Sequence, residues 1–199
     1  MKSWNSAASD FYSHNMRIIG GTLKRRLISF PKTKATRPVT DRAKESIFAI
    51  LGERTNTRVV LDLFAGSGSL GLEALSRGAN EVCFVDWAEE SRLCVLKNLK
   101  ALNLVEAAYF LKLSIEKAFE HLENRGLKYD LIFLDPPHNK GLIKKALRRL
   151  DASDIVAPSA IIVAGHSNLE PLPDTLNTLR VARSVKIGQT FVSFLERKV

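Results

Sequence analysis

The stretch RVVLDLFAGSGSLG, residues 58–71, decides the fold of this chain. Its first half is a run of β-branched and other apolar residues, which predicts a buried strand over residues 58–64. Its second half is a glycine-rich loop, and residues 68–79 continue in a helical pattern. A strand that leads through a glycine loop into a helix is the opening unit of a parallel α/β sheet.

The alternation of strands and helices continues beyond this unit. It predicts strands at residues 81–86, 107–113, 129–135 and 160–165, and helices at residues 88–103, 114–126 and 140–151. Residues 181–198 read as two strands joined at residues 186–188 with no helix between them, so this pair should be an antiparallel hairpin. We therefore predict an α/β fold, with a mostly parallel sheet, helices on both faces and an antiparallel C-terminal hairpin.

The residues before the sheet form a small module of their own. Residues 17–30 read as two short strands with a turn or bulge at Gly20 and Gly21, and a helix over residues 42–51 has Thr40 or Asp41 as its cap. This predicts a β-hairpin and helix extension over residues 16–56, followed by the sheet domain at residues 57–199. Residues 1–15 read either as a polar tail, which we expect to be disordered, or as residues that precede a start at Met16.

Positive charge is concentrated in this extension. The formal net charge is +9, and residues 17–44 hold nine basic residues and one acid, whereas the remaining 21 basic and 20 acidic residues nearly balance. Basic residues gathered in one segment favour a polyanion such as nucleic acid over an incidental charged face. The candidate contacts to nucleic acid are Arg17, Lys24, Arg25, Arg26, Arg37 and Arg42.

Metal, disulfide and membrane chemistry find little support in the sequence. Cys83 and Cys94 fall in apolar patterns, and the four histidines form no cluster with metal-ligand spacing, so we expect no metal site and no disulfide framework. No apolar run approaches the roughly 20 residues of a membrane helix. We therefore expect a cytoplasmic protein with no membrane partner.

The glycine loop predicts a cofactor that contains adenosine. Gly66, Gly68 and Gly71 have the spacing that lets a ligand approach the backbone, and Asp86 ends the next strand 20 residues after Gly66, where an acid can pair ribose hydroxyls. This pattern fits both a nicotinamide dinucleotide and S-adenosylmethionine. Asp62, four residues before Gly66, favours the second, because a carboxylate attracts an ammonium group and repels a pyrophosphate.

The stretch LIFLDPPHNKG, residues 131–141, ends the predicted fourth strand with an acid and two prolines. Neither proline can extend a strand, because neither has a backbone N–H. The Asp135 carboxylate and the Pro136 carbonyl then form a fixed pair of acceptors, which suits an exocyclic amine with its two N–H donors. The residue after the prolines, His138, is placed to stack on a base. The alternative is a turn that only ends a strand.

Taken together, these motifs resemble those of the bacterial small-subunit (16S) ribosomal RNA guanine-N2 methyltransferases, a family of Class I S-adenosylmethionine-dependent enzymes. The resemblance rests on the glycine loop, on FLDPPH, on the N-terminal RIIGG and RPVTDRAKESIFAIL segments, and on the C-terminal IGQTFVSFLERK. It covers nearly the whole chain from Arg17. It implies a Rossmann-like fold with a seven-stranded sheet, and a monomer that methylates the N2 amine of a guanine in 16S rRNA within a small subunit or an assembly intermediate.

The resemblance also assigns roles to residues. It implies that Asp135, Pro136 and His138 are catalytic, that Arg37, Thr40 and Asp41 match an RNA-binding segment, and that S-adenosylmethionine is bound by Asp62, Phe64, Ala65, Gly66, Ser67, Gly68, Asp86, Trp87, Leu113 and Ser114. Three positions depart from the family pattern. His138 replaces the usual Phe, Tyr or Trp, and VAGHSN, after the fifth strand, lacks an expected acid. Lys112, Leu113 and Ser114 stand where the end of the third strand often carries a polar side chain near the adenine amine.

Three other functions fit parts of the pattern. A DNA adenine-N6 methyltransferase would use the same turn, since adenine also presents an exocyclic amine, but it normally needs a larger target-recognition region. A nicotinamide-dependent oxidoreductase would use the same glycine loop. An RNA-binding module without catalysis would use only the basic extension. A second basic stretch at Lys144, Lys145, Arg148 and Arg149 reads equally as a solvated helix face and as an RNA contact.

Overall fold

The structure is a computed structural model, and it describes residues 12–31, 39–56 and 58–198. The helices of this part of the chain are α1 (Asp41–Leu51), α2 (Ser69–Ser76), α3 (Glu89–Leu102), α4 (Ile115–Asn124) and α5 (Leu142–Asp151). Its strands are β1 (Tyr12–Arg17), β2 (Leu27–Pro31), β3 (Val59–Leu63), β4 (Glu81–Asp86), β5 (Ala108–Lys112), β6 (Tyr129–Leu134), β7 (Val156–Ser167), β8 (Leu179–Ile187) and β9 (Thr190–Arg197).

Seven strands form one sheet in the order β5-β4-β3-β6-β7-β9-β8. The first five are mutually parallel, and β9 lies antiparallel between β7 and β8. The predicted fold class, with its C-terminal hairpin, is confirmed. The chain order reverses beside β3, because β4 lies on one side of it and β6 on the other. The connections that leave β3 and β6 therefore run in opposite directions, and ligands of such sheets bind in the crevice between two connections of this kind.

Alternate residues of the central strands fill two cores, one on each face of the sheet. Val60 of β3 and Phe84 of β4 belong to the core that also contains residues of the extension, whereas Leu61 and Cys83 point to the core beneath α4 and α5. Both faces are therefore covered, which explains why these strands read as continuous apolar runs rather than alternating ones.

The N-terminal hairpin packs on the first of these cores. Met16, Ile18 and Ile28 are buried in the same cluster as Phe48 of α1 and Val60 of β3. The strand β1 begins at Tyr12, so the prediction that residues 1–15 are a disordered tail is wrong for residues 12–15, whose backbone pairs with β2. Residues 1–11 lie outside the described residues. The division of the chain at residue 56 stays a prediction.

Gly20 and Gly21 lie in the connection between the two strands, as predicted, but the strands themselves have other bounds than residues 17–30. The connection between β1 and β2 runs over residues 18–26, closed by the Ile18 N–H, which donates to the Arg26 carbonyl at 2.9 Å. A Cβ on Gly21 would lie 1.8 Å from the Ser76 carbonyl oxygen of α2. The carbonyl of Gly21 also accepts from the Lys24 N–H at 3.3 Å, so this glycine begins a turn and allows the hairpin to touch α2.

Two element boundaries also differ from the predictions. The strand β7 begins at Val156 rather than at residue 160, because Pro158 falls at an irregularity in the pairing with β6, where a strand tolerates a proline. The helix α5 begins at Leu142, after Gly141 in a left-handed conformation with φ 71°. Of the two residues predicted to cap α1, Thr40 is the N-cap, and its Oγ1 accepts from the Ala43 N–H at 3.2 Å.

Candidate active site

The glycine loop joins β3 to α2 at the reversal point of the sheet. Phe64, Gly66 and Gly68 all have left-handed backbone, with φ values of 64°, 55° and 76°. A Cβ on Gly66 would meet only the Phe64 carbonyl oxygen, at 4.0 Å, so the loop is open on that side. A Cβ on Gly71 would lie 2.4 Å from a ring carbon of Phe84. Gly66 thus leaves room for a ligand, whereas Gly71 allows α2 to pack on β4.

Asp62 is a buried acid beneath this loop. Its Oδ2 accepts a hydrogen bond from the Gly71 N–H at 3.0 Å, in the first turn of α2. Burial raises the pKa of Asp62 well above its ordinary value, and the nearby charges of Asp135 and Asp86 raise it further, against the Gly71 hydrogen bond. The three acids at the ends of β3, β4 and β6 therefore converge, as the strand pattern predicts.

Asp86 ends β4 and holds the glycine loop in place. Its Oδ2 accepts from the Gly66 N–H and its Oδ1 from the Ala88 N–H, both at 2.9 Å. Each carboxylate oxygen has a second lone pair, so these bonds leave capacity for ligand hydroxyls. Trp87, the next residue, is 74% exposed. An indole exposed to this extent beside the loop is available to cover a flat ligand.

The remaining predicted cofactor residues line the same edge of the sheet. Ala65 donates its N–H to the Val85 carbonyl at 2.9 Å, and the Ser67 carbonyl accepts from Asn98 of α3 at 3.2 Å. Leu113 and Ser114 follow β5, where Ser114 is the N-cap residue of α4. Both are at the carboxyl end of a parallel strand, so both stay candidates for contact with the ligand.

Asn98 is a site residue that the sequence did not reveal. It is buried, and its Nδ2 donates to the Ser29 carbonyl at 2.9 Å as well as to Ser67, while its Oδ1 accepts from the Ser29 N–H at 2.8 Å. One amide therefore joins β2 of the hairpin to the glycine loop. An Asn on the buried face of an amphipathic helix is the only signal in the sequence, and it does not name the partners.

The DPPHN turn, residues 135–139, follows β6 next to the glycine loop. Leu134, the last residue of β6, pairs with Leu63 of β3 on one side and with Ala164 of β7 on the other. Burial raises the pKa of Asp135 to about 6, although the charge of His138 acts in the opposite direction. Pro136 is buried and His138 is exposed. A partly buried acid thus faces the reversal point, with an imidazole at the surface beside it.

A second acid missed by the sequence analysis lies beside this turn. Glu170, in the connection after β7, is buried, and its carboxylate accepts from the Asn139 N–H. A Cβ on Gly165 would lie 2.6 Å from Oδ1 of Asp135, which shows how closely the end of β7 packs on the turn. A buried acid from the connection after β7 thus contacts the end of the turn.

Some of the basic residues that were predicted to contact nucleic acid are exposed, whereas others pair with acids. Lys24, Arg25 and Arg26 are exposed at the connection between β1 and β2, and Arg42 is exposed on α1. Arg17 pairs with Asp41 at 2.8 Å, and the buried Lys44 also binds both the Asp41 carboxylate and the Arg17 carbonyl. Thr40 caps α1, and Arg37 lies outside the described residues. Lys145 and Arg149 of α5 are paired with Glu116 and Glu123 of α4.

The described residues contain neither a metal-binding cluster nor a membrane-spanning helix. Among residues 12–31, 39–56 and 58–198, no group of three or more His, Cys, Asp or Glu side chains is arranged to hold a metal ion. Within those same ranges, no helix is long and apolar enough to cross a membrane.

Comparison with known proteins places the chain among methyltransferases. YlbH of Bacillus subtilis, provisionally named an rRNA methyltransferase, is 37% identical over 183 residues, covering 92% of this chain and 100% of that protein. Ribosomal RNA small subunit methyltransferase D of Escherichia coli is 30% identical over 186 residues, covering 94% of this chain and 92% of that protein.

Solved structures agree with these relatives. A structure of yhhF of Escherichia coli, provisionally titled a methyltransferase, has 30% identity and a TM-score of 0.80 and covers 92% of this chain and 98% of that one. The Thermus thermophilus 16S rRNA N2 G1207 methyltransferase, in complex with AdoMet and guanosine, shares the fold with a TM-score of 0.70 at 22% identity over 94% of this chain and 50% of that one.

A family model described as conserved hypothetical protein 95 matches residues 16–196, which include β2, the glycine loop and the DPPHN turn. The family model and the relatives thus each match nearly the whole chain. The chain belongs to the conserved hypothetical protein 95 family, as do the ribosomal RNA small subunit methyltransferases D that it matches.

Proposed function

We propose that this chain transfers a methyl group from S-adenosylmethionine to the exocyclic N2 amine of a guanine in 16S rRNA. The observation that carries the proposal is the position of Asp135, a partly buried acid at the reversal point of the sheet, beside the glycine loop and Asp62. The names of the relatives support rRNA as the substrate. We further propose a cytoplasmic monomer that acts on a small subunit or an assembly intermediate.

The charge of the site favours S-adenosylmethionine over a dinucleotide. Asp62, Asp86 and Asp135 lie close enough for each of the other two to raise the pKa of Asp62. In their carboxylate forms they repel a pyrophosphate but attract the ammonium and sulfonium groups of S-adenosylmethionine, and a bound cation in turn favours the ionisation of Asp62 and Asp135, whose pKa values are raised by burial. Asp62, Asp86 and the open face of Gly66 would hold this cofactor, with Trp87 against its adenine. When bound, it supplies the methyl group on a sulfonium.

A thermal-shift measurement separates this cofactor from its rival. S-adenosylhomocysteine, used as the probe, should raise the melting temperature, because a ligand that binds only the folded state stabilises it. NADH should leave the melting temperature unchanged. Stabilisation by NADH and not by S-adenosylhomocysteine would assign the chain to the oxidoreductases instead.

The chemistry that Asp135 supplies is positioning and acceptance of a proton. Its carboxylate and the Pro136 carbonyl would accept from the two N–H groups of the amine, which turns the nitrogen lone pair toward the methyl donor. The nitrogen must lose one proton when it gains a methyl group, and a carboxylate whose pKa is about 6 can accept it. The target guanine must leave its stack to reach this turn.

The rate should depend on the ionisation of Asp135. Its pKa in the folded protein is raised to about 6, so the carboxylate, which is the accepting form, is lost as the pH falls through 6. We expect kcat at saturating cofactor and RNA to rise with pH up to about 7 and to be about tenfold lower at pH 5. A kcat that is constant between pH 5 and 8, with the protein still folded, would contradict this role.

His138 is proposed to stack on the target base rather than to move a proton. Replacing it with Phe keeps a flat ring, so kcat/KM for RNA should stay within about threefold of wild type. Replacing it with Ala should lower kcat/KM about tenfold, because stacking of a base on a ring contributes roughly 1–3 kcal/mol. Equal losses in His138→Phe and His138→Ala would show that the imidazole acts as an acid or base.

The exposed basic residues of the hairpin are proposed to contact RNA phosphates. Exchanging Lys24 and Arg25 together for Gln should weaken RNA binding roughly tenfold. It should also make binding less sensitive to salt, so that the slope of the logarithm of the association constant against the logarithm of the salt concentration falls in magnitude by about 1.5. The matched control is the double exchange of Lys145 and Arg149, which are already paired with acids. A larger loss in the control would place the RNA on α5.

A further inference from the structure

The end of β7 and the residues that follow it contact the DPPHN turn at both ends of the turn. At the first end, Gly165 allows the strand to pack against Asp135, since a Cβ there would lie 2.6 Å from Oδ1 of that residue. At the other end, the Ser167 Oγ donates to the Asn139 Oδ1 at 2.7 Å, and the Glu170 carboxylate accepts from the Asn139 N–H. The turn is therefore braced by a segment that is not adjacent to it in sequence.

Glu170 reaches Asn139 because the chain turns back on itself after β7. The Glu170 N–H donates to the Ser167 carbonyl at 3.2 Å, which closes a tight turn and leaves Leu169 83% exposed at its surface. The Glu170 side chain is directed inward and is only 7% exposed. Asn139, its partner, has a left-handed backbone with φ 60°, so the bond holds a residue in a conformation that non-glycine residues seldom adopt.

The burial of this acid needs a reason. Burial of a carboxylate is unfavourable unless hydrogen bonds compensate it, and Oε1 of Glu170 is buried with no hydrogen-bond partner among the described residues. A neutral Ser or Asn would accept the same N–H at a lower desolvation cost. What the carboxylate adds is a stronger, charge-assisted hydrogen bond to the backbone of the turn. Buried polar groups that are poorly satisfied and contact an active-site turn are expected where function outweighs stability.

We propose that Glu170 is a positioning residue for methyl transfer. It fixes the Asn139 end of the DPPHN turn, so that the Asp135 carboxylate and the Pro136 carbonyl at the other end keep the directions that the target amine requires. This inference rests on the proposed function, in which those two groups are the acceptors. It makes the connection after β7 part of the active site, although Glu170 itself does not contact the reacting atoms.

The test compares Glu170→Ala with Glu170→Gln. The Ala variant removes the acceptor of the Asn139 N–H, and we expect kcat to fall 10- to 100-fold while KM for RNA and the Kd for S-adenosylhomocysteine change less than threefold. The Gln variant retains an acceptor oxygen, so it should recover kcat to within about fivefold of wild type. A wild-type kcat in Glu170→Ala, or a Gln variant as impaired as the Ala variant, would overturn the proposal.

The matched control is Asp151, the last residue of α5, which binds the other end of the same connection. Its carboxylate also accepts from backbone N–H groups, those of Asn177, Thr178 and Leu179, at 2.6, 2.7 and 2.9 Å. Asp151→Ala should lower the melting temperature and leave kcat unchanged below the transition. If it lowers kcat as much as Glu170→Ala does, loss of any such bond explains the effect and the positioning role is wrong.

Amide hydrogen exchange tests the same contact without catalysis. The Asn139 amide should be protected in wild type, and its exchange should be at least tenfold faster in Glu170→Ala, whereas the amides of Thr178 and Leu179 should be unaffected. Unchanged exchange at Asn139 would overturn the positioning role. If instead wild type transfers no methyl group to rRNA but Asn139 behaves as expected, the proposed function fails and the contact stands.

Discussion

Replacing Asp135 with Asn is expected to lower methyl transfer by about 10²- to 10³-fold, the size of effect seen when one pre-positioned hydrogen-bonding group is removed from an active site. The Asn side chain has nearly the same shape, but its NH₂ group presents donors where the amine of the base also presents donors. The rate constant under single-turnover conditions, with tritiated S-adenosylmethionine and small-subunit rRNA, measures the loss. Binding of S-adenosylhomocysteine should change less than threefold.

Asp130 gives a matched control in the same strand. It lies near the start of β6, where its carboxylate accepts from the Val59 N–H at 3.1 Å and pairs with Arg58 at 3.5 Å. Asp130→Asn makes the same chemical change at the opposite end of β6 and should keep the rate within about twofold. Wild-type activity in Asp135→Asn, or equal losses in both variants, would contradict the role given to Asp135.

Replacing Asp62 with Ala should weaken binding of S-adenosylhomocysteine about 10- to 100-fold, because hydrogen bonds to a charged group contribute roughly 1.5–3 kcal/mol. The same change leaves the Gly71 N–H without an acceptor but also removes a buried acid whose pKa is raised by burial and by two neighbouring acids. Because these effects oppose each other, the melting temperature should not fall strongly. Isothermal titration calorimetry and thermal unfolding measure the two effects. Lost affinity without lost stability is typical of a residue kept for binding.

Asp62→Asn separates the charge of this residue from its structural bond. The amide oxygen can still accept from the Gly71 N–H, so the start of α2 should be preserved, but the attraction for an ammonium group is lost. We expect an affinity close to that of Asp62→Ala. Wild-type affinity in both variants would show that Asp62 only caps α2, and the argument for S-adenosylmethionine from the charge of the site would lose its main support.

The sequence predicted the sheet well because the relevant signals are local. The strand β4 was predicted with its observed bounds, Glu81–Asp86, since an apolar run bounded by polar residues needs no knowledge of its neighbours. The hairpin was predicted less well. Gly20 and Gly21 do lie in the connection between its strands, but the sequence did not show that Gly21 also allows the approach of α2, more than 50 residues away in sequence, as the bond from Thr22 to Ser76 shows.

The same distinction applies to the site. Asp62, Asp86 and Asp135 could be brought together from the sequence because parallel strands deliver their carboxyl ends to one edge of the sheet. Asn98 and Glu170 could not, because their partners lie 69 and 31 residues away and depend on how α3 and the connection after β7 pack. The acids that face the ligand therefore follow from strand pattern, whereas the residues that hold them in place follow only from tertiary structure.

Analysis of the methylated nucleoside tests the central claim most directly. Small ribosomal subunits that lack the modification are incubated with the enzyme and tritiated S-adenosylmethionine, in parallel with naked 16S rRNA and duplex DNA, and the products are digested to nucleosides. Label should appear in N2-methylguanosine from the rRNA substrates, and should be strongly reduced when Asp135→Asn replaces wild type. Label in N6-methyladenine from DNA, or in no nucleoside of the ribosomal substrates, would contradict the proposed function.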